Sequence, residues 1–153
     1  MSELSSILAG IAGQYFVAAE LSQRGYVTAL TLRNTKGIDL LVSNANASRE
    51  LGIQVKTTRF ARRRWLLNKD AEDFHADHLF YVFVNLKGEG KYPDFSVVPS
   101  KVVAEYVKQK ARDMLATPGR DGLPRKDSGI REFHDKAGQF SGGWELLDLM
   151  MKL

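Results

Sequence analysis

The run HLFYVFVNL at positions 78–86 constrains the fold more than any other part of the sequence, because it is apolar almost throughout. A strand with one face in water alternates apolar and polar residues. This run does not alternate, which is typical of a strand that is covered on both faces. It therefore predicts the central strand of a sheet that lies between two other layers.

Periodicity and turn residues predict the elements around that strand. Residues 4–24 have the pattern of an amphipathic helix that ends at Gly25, and Pro99 opens a second helix that runs to about residue 115. Gly142 and Gly143 precede a last short helix. Strands are predicted at about residues 26–32, 37–43, 51–58, 64–68, 78–86 and 94–98. The apolar stripe of the first helix, which we expect to face the core, consists of Leu4, Ile7, Leu8, Ile11, Tyr15 and Ala18.

Size and composition predict a single domain over residues 1–153, since a chain of 153 residues can bury its own core. The sequence has no cysteine, no apolar run of the roughly 20 residues that a membrane helix needs, and no secretory signal at its start. We therefore expect a cytoplasmic protein with no membrane partner. The net charge of +4 and the pI of about 9.4 are mildly basic, and charge of this size does not by itself indicate nucleic-acid binding.

Two apolar segments carry polar residues that packing does not explain. Asp39 interrupts GIDLLV at positions 37–42, and Gln54 and Lys56 interrupt IQVKTT at positions 53–58. A buried polar group without a partner costs about 1–3 kcal/mol, and a buried charge costs more. Because alternate side chains of a strand leave the same face, Gln54 and Lys56 project together, and pairing of the two strands would bring Asp39 to them. Carboxylate and amide oxygens are hard ligands of the kind that Mg²⁺ accepts.

The order and spacing of these residues resemble the active-site signature of the PD-(D/E)XK nuclease superfamily, which includes restriction endonucleases and Holliday-junction resolvases. Ile38 and Asp39 correspond to the leading Pro-Asp, and Gln54-Val55-Lys56 corresponds to (D/E)XK, with Gln54 where Asp or Glu is usual. Residues 9–26 resemble the first helix and turn of small members, some of which carry Glu where this chain has Gln14. The resemblance covers about residues 5–100.

The resemblance implies a restriction-endonuclease-like α/β fold with an αβββαβ core, in which helices flank a mixed central sheet. It implies a metal-dependent endonuclease that hydrolyses DNA phosphodiester bonds with Mg²⁺ or Mn²⁺. Asp39 would bind the metal, Gln54 would contribute its amide oxygen, Lys56 would position water or phosphate, and Gln14 would support the site or act as a weak ligand. Related small nucleases are often dimers, which makes a homodimer a candidate assembly. With glutamine in two positions only one anion remains, so we expect reduced metal affinity.

A basic cluster follows Lys56 directly and extends the candidate site. It consists of Arg59, Arg62, Arg63, Arg64 and Lys69, with Phe60 and Trp65 beside the arginines. Arginine forks fit phosphate oxygens, so the cluster predicts contact with a nucleic-acid backbone, and a solvated charged turn is the alternative. A second basic group lies in and beside the loop-like segment at about 117–130, which we expect to be mobile and which could order on a substrate. Its members are Arg120, Arg125, Lys126 and Arg131.

The sequence leaves three functions open. The first is the metal-dependent DNA endonuclease, and the second is a catalytically inactive nucleic-acid-binding module of the same fold. The third is a dimeric interaction or accessory protein, in which the basic clusters are solvated surface. A structural ion pair between Asp39 and Lys56, without any catalytic role, is the alternative for the polar residues themselves.

Overall fold

The computed structural model describes residues 3–32 and 36–152. Within these ranges no helix is both long enough and apolar enough to cross a bilayer. The same ranges contain three α-helices, which lie close to their predicted positions. They are α1 (Ser6–Gln23), α2 (Ser100–Ala116) and α3 (Trp144–Lys152). Ser5 caps the start of α1, where its hydroxyl accepts a hydrogen bond from the Leu8 amide (3.2 Å). Gly25, with φ of 89°, follows the end of the helix.

The main sheet has the strand order β1-β2-β3-β5-β6. Its β3 and β5 are parallel, and its other neighbouring strands are antiparallel, so the sheet is mixed as predicted. Two further strands, β4 and β7, form a separate antiparallel pair. The strands of the described residues are β1 (Val27–Leu30), β2 (Leu40–Ser43), β3 (Glu50–Thr58), β4 (Arg64–Asn68), β5 (Leu79–Asn85), β6 (Asp94–Pro99) and β7 (Ile130–His134).

The centre of the sheet is β3, and the prediction that the 78–86 strand is central was wrong. All seven residues of β5 are nevertheless buried, as its uninterrupted apolar run predicted. Such a run reports that layers cover both faces of a strand, and it carries no information on how many strands lie to each side. In this sheet β6 alone lies beyond β5, whereas β1 and β2 lie beyond β3.

Two layers cover the sheet. On one face α1 and α3 pack against a cluster that includes Ile53 and Val82 of the sheet and Trp144 of α3. On the other face the β4–β7 pair and α2 cover a second cluster, in which the rings of Phe83 and Phe133 stack with centroids 4.5 Å apart. The two clusters lie on opposite faces of the same strands, which agrees with the alternation of side chains along β3 and β5. That the chain forms a single domain stays a prediction.

The apolar stripe predicted for α1 does not face the core. Ile7, Leu8 and Tyr15 are each more than half exposed, and the buried positions of the helix are Ala9, Gly13, Val17 and Leu21. The physical reason is close packing, since a Cβ at Gly13 would overlap the Oγ1 atom of Thr57 in β3. Small residues allow the helix to approach the sheet closely, whereas the hydrophobic pattern marks the larger residues on the outer side.

The strand β7 was not predicted, because its sequence IREFH is mostly polar. Its Phe133 is fully buried in the second cluster. Arg131, which the sequence grouped with the basic arm, is also buried and is bound to Glu72 (2.5 Å) and Asp127 (2.9 Å). It is therefore unavailable as a surface cation. Residues 117–129 contain no helix or strand, and their mobility stays a prediction.

The chain order α1, β1, β2, β3 matches the first part of the predicted αβββαβ core. The connection from β3 to its parallel neighbour β5 carries β4 and a short 3-10 helix (Lys69–Glu72), and the second α-helix follows β6. This connection folds β4 back over the face of the sheet from which Gln54 and Lys56 project. The candidate site therefore lies between the sheet and this covering segment.

Candidate active site

Asp39 stands immediately before β2, where the backbone is held on both sides. Its amide donates to the carbonyl of Ile53 (2.8 Å), and its carbonyl accepts from the amide of Thr31 (3.0 Å). The Thr31 hydroxyl donates in addition to the carbonyl of Ile38 (2.6 Å). Gly37 precedes with φ of 78°, and the ring of Phe74 occupies the space that a Cβ there would need. The approach to Asp39 is thus fixed by backbone bonds and by a position that suits glycine.

The carboxylate of Asp39 connects α1 to β3. Its Oδ1 accepts a hydrogen bond from the side-chain amide of Gln14 (3.1 Å), and its Oδ2 accepts from the backbone amide of Val55 (2.7 Å). Val55 is the residue between Gln54 and Lys56, so the carboxylate is bound directly to the segment that the sequence singled out. The structure brings Gln14 and Asp39 into contact, and each carboxylate oxygen keeps a further lone pair.

Gln54 and Lys56 line a small cleft of about 70 Å³ between β3 and the segment that follows β4. The Oε1 atom of Gln54 is buried and has no hydrogen-bond partner among the residues that the structure describes. An unpaired buried acceptor costs about 1–3 kcal/mol, and at a cleft it can be satisfied by water or by a donor or cation of a ligand. Lys56 also lines a second, larger groove, and it therefore lies where the two cavities meet.

Burial shifts the pKa values of the two charged residues in opposite directions. Removal from water raises the pKa of Asp39 above its ordinary 3.8, and the Val55 hydrogen bond and the Lys56 charge oppose that rise. Burial lowers the pKa of Lys56 below 10.5, and the Asp39 charge opposes that fall. Each charge is thus partly desolvated and partly stabilised by the other. Paired shifts of this kind occur at functional sites and also in structural ion pairs.

The cleft contains an ion pair that sequence reasoning missed. Lys36 and Asp70 line it together with Gln54 and Lys56, and their side chains are 2.9 Å apart. Both are mostly exposed, so the pair is screened by water and contributes little to stability. No sequence signal marks Asp70, because it lies in the 3-10 helix and belongs to no apolar run. It places a carboxylate at the cleft, whose lining does not include Asp39, and no group of three or more His, Cys, Asp or Glu suited to a metal occurs among the described residues.

The larger groove has a volume of about 720 Å³ and runs between the start of α1 and strands β3 and β4. Ser6 and Ala9 of α1 form part of its wall. Three of the predicted nucleic-acid-binding arginines line it beside Lys56, namely Arg59, Arg62 and Arg64. Arg59 also pairs with the exposed Glu3 (3.2 Å), and Arg64 pairs with Glu132. The cationic side chains make the groove attractive to phosphate.

The remaining predicted binding residues lie elsewhere. Arg63 turns away from the groove and approaches the buried carboxylate of Asp135 (3.6 Å), and Lys69 pairs with Asp127 (3.3 Å). Arg125 and Lys126 line a separate open depression of about 590 Å³, which shares no residue with the groove. The sequence cluster is therefore divided, because consecutive residues at the start of β4 point in different directions. Trp65, expected beside the arginines, is buried and donates its indole N–H to the carbonyl of Val84 (3.0 Å).

The residues present are compatible with a hard divalent cation. The candidate donors are the carboxylate of Asp39, which lines neither cavity, and the unpaired amide oxygen of Gln54 in the small cleft, so water or a substrate phosphate would have to complete the coordination. Mg²⁺ commonly keeps several waters and takes only one or two protein ligands, so a site of this kind suits it. With one carboxylate among these donors the protein contribution would be weak, and reduced metal affinity stays a prediction.

The architecture defines the class of fold. The chain has a restriction-endonuclease-like fold, as predicted. It is similar in structure to a bacterial homing endonuclease, I-Ssp6803I, with a TM-score of 0.54 and 18% sequence identity over 95% of this chain and 92% of that chain. A Holliday junction resolvase, Hjc from Archaeoglobus fulgidus, also matches, with a TM-score of 0.44 and 13% identity over 82% of this chain and 90% of that chain. The sequence matches no protein-family model and no curated protein significantly. At such identities the likeness extends to the fold alone.

Proposed function

We propose that the protein is a metal-dependent DNA endonuclease whose active site consists of Asp39, Gln54 and Lys56. The observation that carries the proposal is the carboxylate of Asp39, bound to the backbone amide between Gln54 and Lys56, of which Lys56 lines the cationic groove. A carboxylate, an amide oxygen and an ammonium around one segment of β3 are the groups that phosphodiester hydrolysis needs.

Each residue has a distinct part in this proposal. Lys56 donates hydrogen bonds to a non-bridging oxygen of the scissile phosphate and offsets the charge that develops there. Asp39 and Gln54 supply protein oxygens for Mg²⁺ or Mn²⁺, and the bound ion would lower the pKa of a water molecule and polarise the phosphate. Gln14 is a positioning residue, because its amide holds Asp39 Oδ1. In the overall reaction the water oxygen bonds to phosphorus, one P–O ester bond breaks, and the leaving oxygen takes up a proton.

Cleavage of DNA tests the proposal. Wild-type protein would be incubated with supercoiled, branched and single-stranded DNA in Mg²⁺ and in Mn²⁺, beside Asp39→Ala, Lys56→Ala and the control Lys101→Ala. Lys101 is an exposed cation on α2 and lines none of the cavities described above. We expect wild type and Lys101→Ala to cut and both site variants to lose at least about a hundredfold in rate, the scale on which one charged group stabilises a transition state. Cutting that survives in Lys56→Ala would contradict the proposal.

A second candidate function is a nucleic-acid-binding module that does not cut. The low anionic charge of the proposed donors favours it, since Asp39 is the one carboxylate among them and no metal-binding group of three or more His, Cys, Asp or Glu occurs in the described residues. In that case the groove arginines and Lys56 would hold the backbone, and affinity would fall steeply with salt. Salt-sensitive binding without cutting, in any of the metals, would select this function. Absence of DNA binding at low salt would exclude both.

A homodimer is the assembly that we propose, and the outer face of α1 supports it. The helix carries a single charged residue, Glu20, so two copies would meet without repulsion between like charges. Its exposed apolar residues are Ile7, Leu8 and Tyr15, and the exposed Leu4 lies just before the helix. Leu8 and Tyr15 are seven residues apart and share one side of the helix, which suits packing against a second helix.

Sedimentation tests the dimer directly. We expect wild type to dimerise and Ile7→Glu to be monomeric, while Leu149→Glu, at an equally exposed position on α3, stays dimeric. A wild-type monomer at every concentration would contradict the dimer and leave the proposed chemistry untouched.

A further inference from the structure

The larger groove combines positive charge with an exposed aromatic ring. Its cations, Lys56 and three arginines, account for attraction to any phosphate backbone, paired or unpaired. They do not account for Phe60, which lines the same groove and is 59% exposed. Because most of the Phe60 ring is in water, it contributes little to the core, and it is open to a ligand in the groove.

Phe60 is held in place by its surroundings. Its backbone amide donates to the hydroxyl of Thr58 at the end of β3 (3.3 Å), which fixes the chain as it leaves the strand. The guanidinium of Arg59 lies over its ring, 5.3 Å from the centroid. This contact covers one side of the ring and places a cation beside it. Phe60 belongs to neither buried cluster, so the ring packs on neither core.

The other aromatic residue of the groove differs from Phe60. Trp65 is 2% exposed, and its ring packs on Phe83 in the core with centroids 4.9 Å apart. The groove therefore offers one solvent-exposed aromatic ring, next to an arginine and a short distance along the chain from Lys56. A flat ring with an adjacent guanidinium is how proteins receive the face of a nucleobase that is not stacked in a duplex.

We infer that Phe60 and Arg59 form a stacking site for an unpaired base, so that the groove selects DNA with a single-stranded or branched element over continuous duplex. The inference rests on the proposed function, because it assigns the substrate class of that same groove. In a continuous duplex every base is stacked on its neighbours, and its face is closed to Phe60. Where a base is unpaired, its face can lie on the ring while the arginines hold the flanking phosphates.

Binding to two matched probes tests the inference. The probes are a fully paired duplex and the same duplex with a short run of unpaired thymidines, both measured by fluorescence anisotropy without divalent metal. We expect wild type to prefer the second probe and Phe60→Ala to lose about fivefold or more of its affinity for that probe, the scale of one base stacked on an aromatic ring. Affinity for the paired duplex should change less than twofold. Phe60→Trp should keep the preference, and Leu149→Ala, at an exposed apolar position outside the groove, should leave both affinities unchanged.

A spectroscopic reading separates stacking from a general loss of contact. A fluorescent adenine analogue placed in the unpaired run should be quenched by wild type and by Phe60→Trp, and remain bright with Phe60→Ala at saturating protein. Equal affinity losses on both probes, or unchanged quenching in Phe60→Ala, would overturn the inference. Cutting of continuous duplex by wild type and Phe60→Ala alike would overturn it and leave the proposed function standing. The preference without any cutting would leave the inference standing and refute the endonuclease.

Discussion

The two faces of β3 each bury a polar atom that has no hydrogen-bond partner within residues 3–32 and 36–152, and they do so for different reasons. On the face toward α1, the Oγ1 atom of Thr57 is unpaired because the helix lies against it at Gly13. On the opposite face, Oε1 of Gln54 is unpaired but lines a cleft that continues through Lys56 into a cationic groove. The first is a consequence of close packing, and the second lies where a ligand can reach. An orphaned polar atom indicates a site only when a cavity accompanies it.

The largest expected effect concerns the cleft face. Gln54→Glu adds a carboxylate to the proposed metal site, and at an effective dielectric near 20 a unit charge about 4 Å away contributes on the order of 4 kcal/mol to attraction of a cation. We expect the Mg²⁺ concentration for half-maximal cutting to fall at least tenfold, as measured by titration of the cleavage rate. Gln54→Ala should raise this Mg²⁺ concentration. If neither variant changes it, Gln54 is not part of the metal site.

The packing face should respond in stability. Gly13→Ala forces a Cβ into Thr57, so we expect a loss of about 1–3 kcal/mol in the free energy of unfolding, as overpacking generally produces. Gly10→Ala is the matched control in the same helix, because a Cβ added at Gly10 would have no atom within 4 Å among the described residues outside its own helix backbone and chain neighbours. It should stabilise by about 0.5–1 kcal/mol through helix propensity. Urea unfolding of the two variants measures the difference, and equal effects would show that α1 does not approach β3 as closely as described.

The pH dependence of stability tests the buried environment of Asp39. Because burial raises the folded pKa of Asp39 above 3.8, wild type is favoured relative to Asp39→Asn at low pH and loses that advantage as pH rises through the folded pKa. Urea unfolding of both proteins from acid to neutral pH measures this change. When both proteins also carry Lys56→Met, the stability advantage of Asp39 over the Asp39→Asn variant should continue to decrease up to a higher pH, since the charge that lowers the pKa of Asp39 is gone. A wild-type advantage that grows with pH would contradict the assigned environment.

The smallest effect distinguishes two adjacent arginines. Arg62 lines the groove, whereas Arg63 approaches Asp135 behind it. Arg62→Ala should reduce DNA affinity a few-fold and lower the slope of log affinity against log salt by about one phosphate contact. Arg63→Ala should leave that slope unchanged and lower stability instead, because it leaves the buried Asp135 without its cation. Identical salt slopes for the two variants would mean that the groove does not bind the DNA backbone.

The sequence predicted the strands of the fold well, because period-two patterning and buried runs follow from the geometry of a sheet. It misplaced the buried face of α1, where Ala9 and Gly13 are buried through closeness of backbones and not through hydrophobicity. It also missed β7, whose buried Arg131 pairs with Glu72, a residue distant in the sequence. Long-range pairing of this kind leaves no local pattern.

The candidate site was also predicted only in part from the sequence. The strand pattern and the resemblance to the nuclease signature led to Asp39, Gln54 and Lys56, and the structure places the Asp39 carboxylate on the backbone between the other two. The direction of each arginine depends on its partners, so Arg63 and Lys69 could not be separated from Arg62 by sequence alone. Asp70 reaches the cleft through the fold of the 3-10 helix, which no motif marks. The cytoplasmic location stays a prediction.

The most direct test of the central claim compares the two faces of β3 in one cleavage assay. Lys56→Met on the cleft face and Gly13→Ala on the packing face would be assayed on supercoiled DNA in Mg²⁺, at a temperature where unfolding curves show both to be folded. The account predicts that Lys56→Met keeps its fold and loses cutting, whereas Gly13→Ala is less stable and still cuts. Cutting by Lys56→Met at the wild-type rate would contradict the assignment of the active site to this face.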